Sequence, residues 1–236
     1  MDFKIFSSLI TDENWRDIIV RFLARNTDGS TEADKIFGYL TAQTKQGKVI
    51  YPAVNDVFAA FNECPYKDLR VVILGQDPYH NGSADGLAFS TRRSKCPPSL
   101  ENIFKEIEQE FKKDLTYKFF KGDYSLKYIA NQGVLLLNTA LTVEAEKPES
   151  HADIWRNFTS YIINWINLYC PGVIFVLWGN HAKEYQHKIN EKSHLILTSG
   201  HPSPLSANKG LWFGHDHFIK INKELVKANG NQISWN

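Results

Sequence analysis

An aspartate, an asparagine and two histidines follow apolar runs of this chain, and each can do chemistry. Asp77 and His80 lie three residues apart in Gly75-Gln76-Asp77-Pro78-Tyr79-His80, a turn stiffened by its proline. Asn138 closes the run Val134-Leu135-Leu136-Leu137, and His201 opens His201-Pro202-Ser203-Pro204. Taken singly, the first motif reads as an Asx-type turn closing a strand, the second as a stiff loop carrying a histidine. Taken together they permit three chemistries. Asp77, His80 and His201 could ligate a metal, with His215-Asp216-His217 as a second donor cluster, although the spacing matches no standard zinc pattern. Ser203, His201 and Asp77 could form a nucleophilic triad. No G-x-S-x-G elbow accompanies them, however, and a serine between two prolines better suits a backbone or phosphate contact. The third chemistry is electrostatic hydrolysis, in which a carboxylate handles water while His201 and Asn138 hold a leaving group.

These groups need a scaffold, and four continuous apolar runs supply it: Val71-Val72-Ile73-Leu74, Val134-Leu135-Leu136-Leu137, Val173-Ile174-Phe175-Val176-Leu177 and Leu195-Ile196-Leu197. Continuous rather than alternating runs predict strands buried on both faces of a parallel sheet. Helical periodicity lies between them. From about Ala152 to Tyr169, Ile154, Phe158, Tyr161, Ile162, Trp165 and Ile166 share one face, with Ser150 and Asp153 as a capping start and Pro171-Gly172 as the stop. A second helix is predicted from Ser99 to about Lys113, and Lys220 to Lys227 as part of a third. Strand–helix alternation predicts an α/β fold. Polar loop residues after every run, including Gly179-Asn180 after the third, predict a cleft at the carboxyl ends of the strands.

Composition narrows the class. The chain has 236 residues, 43% hydrophobic and 22% charged, which excludes disorder, collagen-like repeats and a coiled coil. Absence of internal repeats and low-complexity linkers predicts a single domain over 1–236, with a helical region over about 1–47. Three cysteines without a C-x-x-C pair argue against a disulfide framework or zinc site, and for a reducing, intracellular setting. No segment resembles a signal peptide or approaches the ~18–20 apolar residues of a membrane span. Lys plus Arg is 27 against 26 Asp plus Glu, a net charge of +1, so this is no polycationic wrapper of nucleic acid. A mild excess, 8 basic against 5 acidic residues, sits in 151–236.

The longer motifs are similar to a known family. GQDPYH at 75–80, GLAFS at 86–90, PPSLENIFKE at 97–106, GVLLLNTALTV at 133–143 and HPSPLS at 201–206 resemble, in order and spacing, the family-1 uracil-DNA glycosylases. IYPA at 50–53 and LWFGHDHF at 211–218 resemble the flanking segments, so the likeness spans about 48–228. It implies a three-layer α/β/α sandwich around a four-stranded, mostly parallel twisted sheet. It further implies hydrolysis of the uracil–deoxyribose bond in DNA, without metal or cofactor, on a nucleotide flipped from the stack.

By this resemblance Asp77 positions water and stabilises positive charge on the sugar, while His201 donates to uracil O2. Asn138 reads uracil N3–H and O4, Tyr79 excludes a C5 methyl, Phe89 stacks on the base, and Gln76 contributes backbone contacts. Leu205 enters the stack as a wedge. Ser99 after Pro97-Pro98, and Ser203, pinch the phosphate backbone, with His80 near the phosphate beside the flipped nucleotide. Simpler readings remain beside these: Phe89 as core, Leu205 as a surface leucine, Ser99 as a helix cap. Two features depart from the family pattern. Gln186-His187 stands where a Gly-Ser pair is usual, leaving that phosphate contact to His187, and the stretch from His80 to Gly86 is one residue short. The implied partners are uracil-containing single- and double-stranded DNA and a DNA-mimicking inhibitor protein. The implied protein is a monomer, cytoplasmic or, in a eukaryotic host, nuclear. Near-neutral charge then requires a local basic track, expected at Arg92, Arg93, Lys95 and Lys209.

Overall fold

The four apolar runs do form strands, and each extends to the polar residues that matter. The computed structural model describes residues 3–112 and 124–236. Strands β1 (Val71–Gly75), β2 (Val134–Asn138), β3 (Ile174–Trp178) and β4 (Ile196–Ser199) form one sheet in the order β2-β1-β3-β4. Every pairing in it is parallel. Side chains alternate between two cores. Val72, Leu74, Leu135, Leu137, Phe175 and Leu177 face one, while Val71, Ile73, Leu136 and Val176 face the other. In β1, β2 and β3 burial on both sides is why the runs are continuous rather than alternating, while β4, at the edge, exposes Thr198.

Helices cover both faces, which makes the three layers. On the first lie α1 (Phe3–Ser8), α2 (Glu13–Leu23), α3 (Glu32–Lys45) and α5 (Ala152–Tyr169), all contributing to one core cluster. On the second lie α4 (Pro98–Phe111) and α6 (His217–Lys227). In the N-terminal region a two-residue ribbon pairs Asn26–Thr27 with Ser30–Thr31 between α2 and α3. The helices there are locally encoded. Asp12 accepts from Trp15 N to start α2, and Thr31 with Asp34 forms a capping box on α3.

Three sequence expectations need correction or limits. Ser150 does not cap α5; His151 is its N-cap residue, and the Ser150 hydroxyl instead accepts from Glu144 N at 2.8 Å. The helix predicted from Ser99 begins at Pro98, since a proline at N1 has no N–H to lose. Its predicted end at Lys113 lies outside the described residues.

Candidate active site

Gly75 ends β1 directly beside Asn138, the last residue of β2. That closeness needs the glycine: a Cβ at 75 would collide with the Asn138 amide oxygen and lie 2.8 Å from Ala88 Cβ. The loops leaving both strands are then stitched together. Thr139 N donates to Gly75 O at 3.0 Å, and Ala140 N donates to Gln76 O at 3.0 Å. Asn138, only 3% exposed, and the Asp77 turn are thereby held side by side. A cavity of about 150 Å³ opens here, lined by Gln76, Asp77, Tyr79, His80, Phe89, Ser99, Asn138 and His201, with Gly75, Pro78 and Leu87. Eight residues singled out in the sequence thus meet, from five separate segments.

The electrostatics differ for each group. Burial raises the Asp77 pKa, and the nearby Glu149 charge raises it further. A hydrogen bond from Glu149 N to Asp77 Oδ2, 2.8 Å, opposes both by favouring the carboxylate. Glu149 sits at φ +64°, and its side chain accepts from Gln76 Nε2 at 2.6 Å, so the same residue braces two members of the turn. At His201 burial lowers the pKa and neighbouring His181 lowers it again, which keeps the ring neutral. His201 Nδ1 accepts from Ser203 N at 3.0 Å. The ring proton therefore sits on Nε2.

Phe89 is in the left-handed region, φ +64°, an unfavourable conformation for a bulky residue. Asp85 holds the loop, accepting from Ser90 Oγ at 2.5 Å and Leu87 N at 3.3 Å. The Phe89 ring lies 5.7 Å from Trp178 and 5.8 Å from His201. Half-buried against the second core, it also lines the cavity. Tyr79 stands beside it, its hydroxyl donating to Phe89 O at 3.3 Å.

The remaining candidates surround this cavity. Pro97 and Pro98 begin α4; Pro97, not Ser99, is its N-cap, and Ser99 opens onto the cavity instead. Ser203 precedes the short helix Pro204–Ala207, from which Leu205 projects 82% exposed. His80 Nδ1 is buried without a partner among the described residues. His187 lies in a neighbouring hollow with Arg156, His181 and Lys188, separated from the main cavity by Thr139. Arg92 pairs with Asp56 at 2.7 Å, so its charge is largely compensated, and Arg93 donates to Asn81 O at 2.5 Å.

Two of the three chemistries lose their geometry. Ser203 meets His201 through its backbone N–H, the wrong group for a nucleophile activated by that ring. His217 Nδ1 accepts the Trp178 indole N–H at 2.9 Å, and burial holds its pKa at about 4, so it is a structural histidine. Among the described residues no group of three or more His, Cys, Asp or Glu is arranged to hold a metal ion. Electrostatic hydrolysis keeps its groups.

Sequence reasoning missed several partners. His181 Nε2 donates to Thr139 Oγ1 at 2.8 Å, which in turn donates to Gln76 O at 2.8 Å. Both residues follow strand ends, so position offered a signal. Glu149 offered none, because its bond to Asp77 comes from its backbone N–H and its side-chain contact with Gln76 spans more than seventy residues.

Known proteins resemble the chain over most of its length. A model of the uracil DNA glycosylase superfamily matches residues 61–226. The uracil-DNA glycosylase of Francisella tularensis subsp. holarctica (strain LVS) is 45% identical over 205 residues, covering 86% of this chain and 91% of that protein. The crystal structure of mimivirus uracil-DNA glycosylase aligns with a TM-score of 0.86 at 28% identity, over 98% of this chain and 88% of that one. A variant of the mimivirus enzyme in complex with UGI gives 0.87 at 28% identity, over 100% and 91%.

Proposed function

The chain belongs to the uracil-DNA glycosylase superfamily, and from that premise we propose that it is a family-1 enzyme excising uracil from DNA by base flipping. The observation that carries this reading is one cavity joining a carboxylate, a neutral histidine with its proton on Nε2, a buried amide and an aromatic ring. Uracil stacks on Phe89, with the Asn138 amide oxygen accepting N3–H and its NH₂ donating to O4. Cytosine reverses that donor–acceptor order and leaves both partners unsatisfied. Tyr79 fills the space a C5 methyl would need. Gln76 borders the base through its backbone.

In the reaction the bond between uracil N1 and C1′ breaks, and its electron pair moves onto the base. His201 Nε2–H donates to O2, where that charge gathers, in the manner of an oxyanion-hole donor worth about 3–4 kcal/mol. The ionised Asp77 faces the electron-poor sugar and orients a water whose oxygen bonds to C1′. Loss of the water proton yields the abasic sugar, and the uracil anion takes a proton to leave as uracil. These steps are assigned to the chain's own residues, with no metal or cofactor.

Leu205 wedges into the gap left by the flipped nucleotide. Pro97, Pro98, Ser99 and Ser203 grip the phosphates on either side, with His80 and His187 on flanking phosphates. The substrates are uracil-containing single- and double-stranded DNA, and the same cleft would receive a DNA-mimicking inhibitor, as in the mimivirus complex with UGI. The chain acts as a monomeric single domain. Its three cysteines are free, consistent with a reducing intracellular compartment.

The test is a gel assay on oligonucleotides carrying one dU, with dT and dC controls. Alkali-labile sites only at dU, unchanged by EDTA, are expected. No abasic sites at enzyme excess would overturn the reading.

A further inference from the structure

The tautomer of His201 depends on one peptide group, and that group is itself held from across the fold. The Ser203 N–H that donates to His201 Nδ1 shares a planar peptide unit with the Pro202 carbonyl. Pro202 O, at the other end of the unit, accepts from Asn102 Nδ2 at 2.8 Å. The result is a line of two hydrogen bonds, amide to peptide to imidazole, passing through a rigid plane.

Asn102 lies on α4, 9% exposed and 100 residues before Pro202 in the chain. It is anchored in turn, since its backbone O accepts from Trp212 Nε1 at 3.1 Å. One turn further along α4, Glu106 Oε1 accepts from Gly214 N at 2.8 Å and His215 N at 3.1 Å. The helix thus grips the backbone on both sides of the Leu205 loop. The prolines at 202 and 204 fix their own φ angles, but the orientation of the 202–203 peptide is set by ψ of Pro202 and φ of Ser203, neither of which a proline ring fixes. If that peptide turned over, a carbonyl would face His201 Nδ1, and the ring proton would move from Nε2 to Nδ1.

We propose that Asn102 is a positioning residue for His201. Through the Pro202–Ser203 peptide it fixes the imidazole plane and keeps the proton on Nε2, the atom aimed at the leaving base. Asn102 does not itself line the cavity. The residue type is specific: a neutral donor is required, a carboxylate would oppose the Pro202 carbonyl, and an alkyl group would leave that buried oxygen unpaired.

This inference rests on His201 acting on the base, and the test separates the two. Single-turnover excision at saturating enzyme is measured for wild type, Asn102→Leu, Asn102→Asp and His201→Leu on a dU oligonucleotide, from about pH 5.5 to pH 8. His-selective nitrogen NMR reads the His201 tautomer. Asn102→Leu should lose about tenfold in rate, with substrate Kd within about twofold, and should show His201 divided between tautomers. Asn102→Asp should recover relative to wild type by about tenfold or more as pH falls, because its protonated carboxyl can donate to Pro202 O. A mere field effect of the new charge would raise the His201 pKa and make that ratio fall with pH instead. A flat ratio for Asn102→Asp, or an unchanged tautomer and rate in Asn102→Leu, overturns the inference. If Asn102→Leu fails to fold, the Asn102→Asp ratio and tautomer decide alone, because one sample is compared with itself across pH. A fully active His201→Leu would instead overturn the reading beneath it.

Discussion

Asp77 and His201 titrate in opposite directions from their ordinary values, and both shifts have a measurable result. The carboxyl is raised above 3.8 and the imidazole lowered below 6.5, so His201 is neutral at neutral pH, where the proposed chemistry needs Asp77 ionised. The expected profile of kcat/KM is a plateau through neutrality with a single acid limb lying below 6.5, followed by excision assays across pH. Asp77→Asn should lower the excision rate about 10²–10⁴-fold, and His201→Leu about 10²–10³-fold. Asp77→Asn should also melt higher than wild type at pH 7. A raised carboxyl pKa contributes stability below 3.8 that is lost as pH rises through the folded value, so the ionised form opposes folding at neutral pH. The gain seen by calorimetry should shrink toward pH 4. Gly75→Ala should lose at least about 100-fold in rate by pushing the Asn138 amide from the base. Tyr79→Ala should release thymine from a dT oligonucleotide, which wild type should leave intact.

At the scale of elements, the sequence revealed the sheet but not the braces. Continuous apolar runs marked β1, β2 and β3 because both faces of each are buried, β4 is an edge strand with Thr198 exposed, and the 152–169 periodicity marked α5 because one helix face packs on that sheet. Asp77, Asn138 and His201 were legible because each sits at a strand's carboxyl end or two residues beyond it. Glu149 N, the Pro202 carbonyl and the Asn102 amide were not, because backbone donors and long-range partners leave no residue-type signature. Ser150 shows the converse: its capping pattern was present, yet the hydroxyl accepts from Glu144 N instead.

Another long-range brace joins α4 and α6. Asp216 gives α6 no side-chain cap, and Glu110 on α4 accepts from Ile219 N at 2.8 Å instead. Burial, more than the opposing helix N–H groups, pushes the Glu110 pKa up to about 7. The native state therefore favours its protonated form, an advantage lost as pH rises from 4.5 through 7. Glu110→Gln keeps an acceptor and should raise Tm more at pH 8 than at pH 5. The exposed Leu205 belongs to the element scale too: Leu205→Ala should slow excision from duplex more than from single strand.

For the whole molecule, near-neutral charge makes DNA binding a local matter. With Arg92 compensated by Asp56 and Arg156 by Asp153, the positive charge expected for DNA falls to Arg93, Lys95, Lys209 and Lys188. The logarithm of duplex kcat/KM should fall with log salt with a slope no steeper than about −4, measured between low and physiological ionic strength. The sheet order β2-β1-β3-β4 carries one more consequence. Its central strands pair across about a hundred residues, Val71 with Ile174, and His201 follows β4, the last of the four strands in the chain. Such non-local pairing closes late in folding. A chain emerging from the ribosome would carry Asp77 and Asn138 long before it could cut anything, so excision should switch on only with the docking of β4.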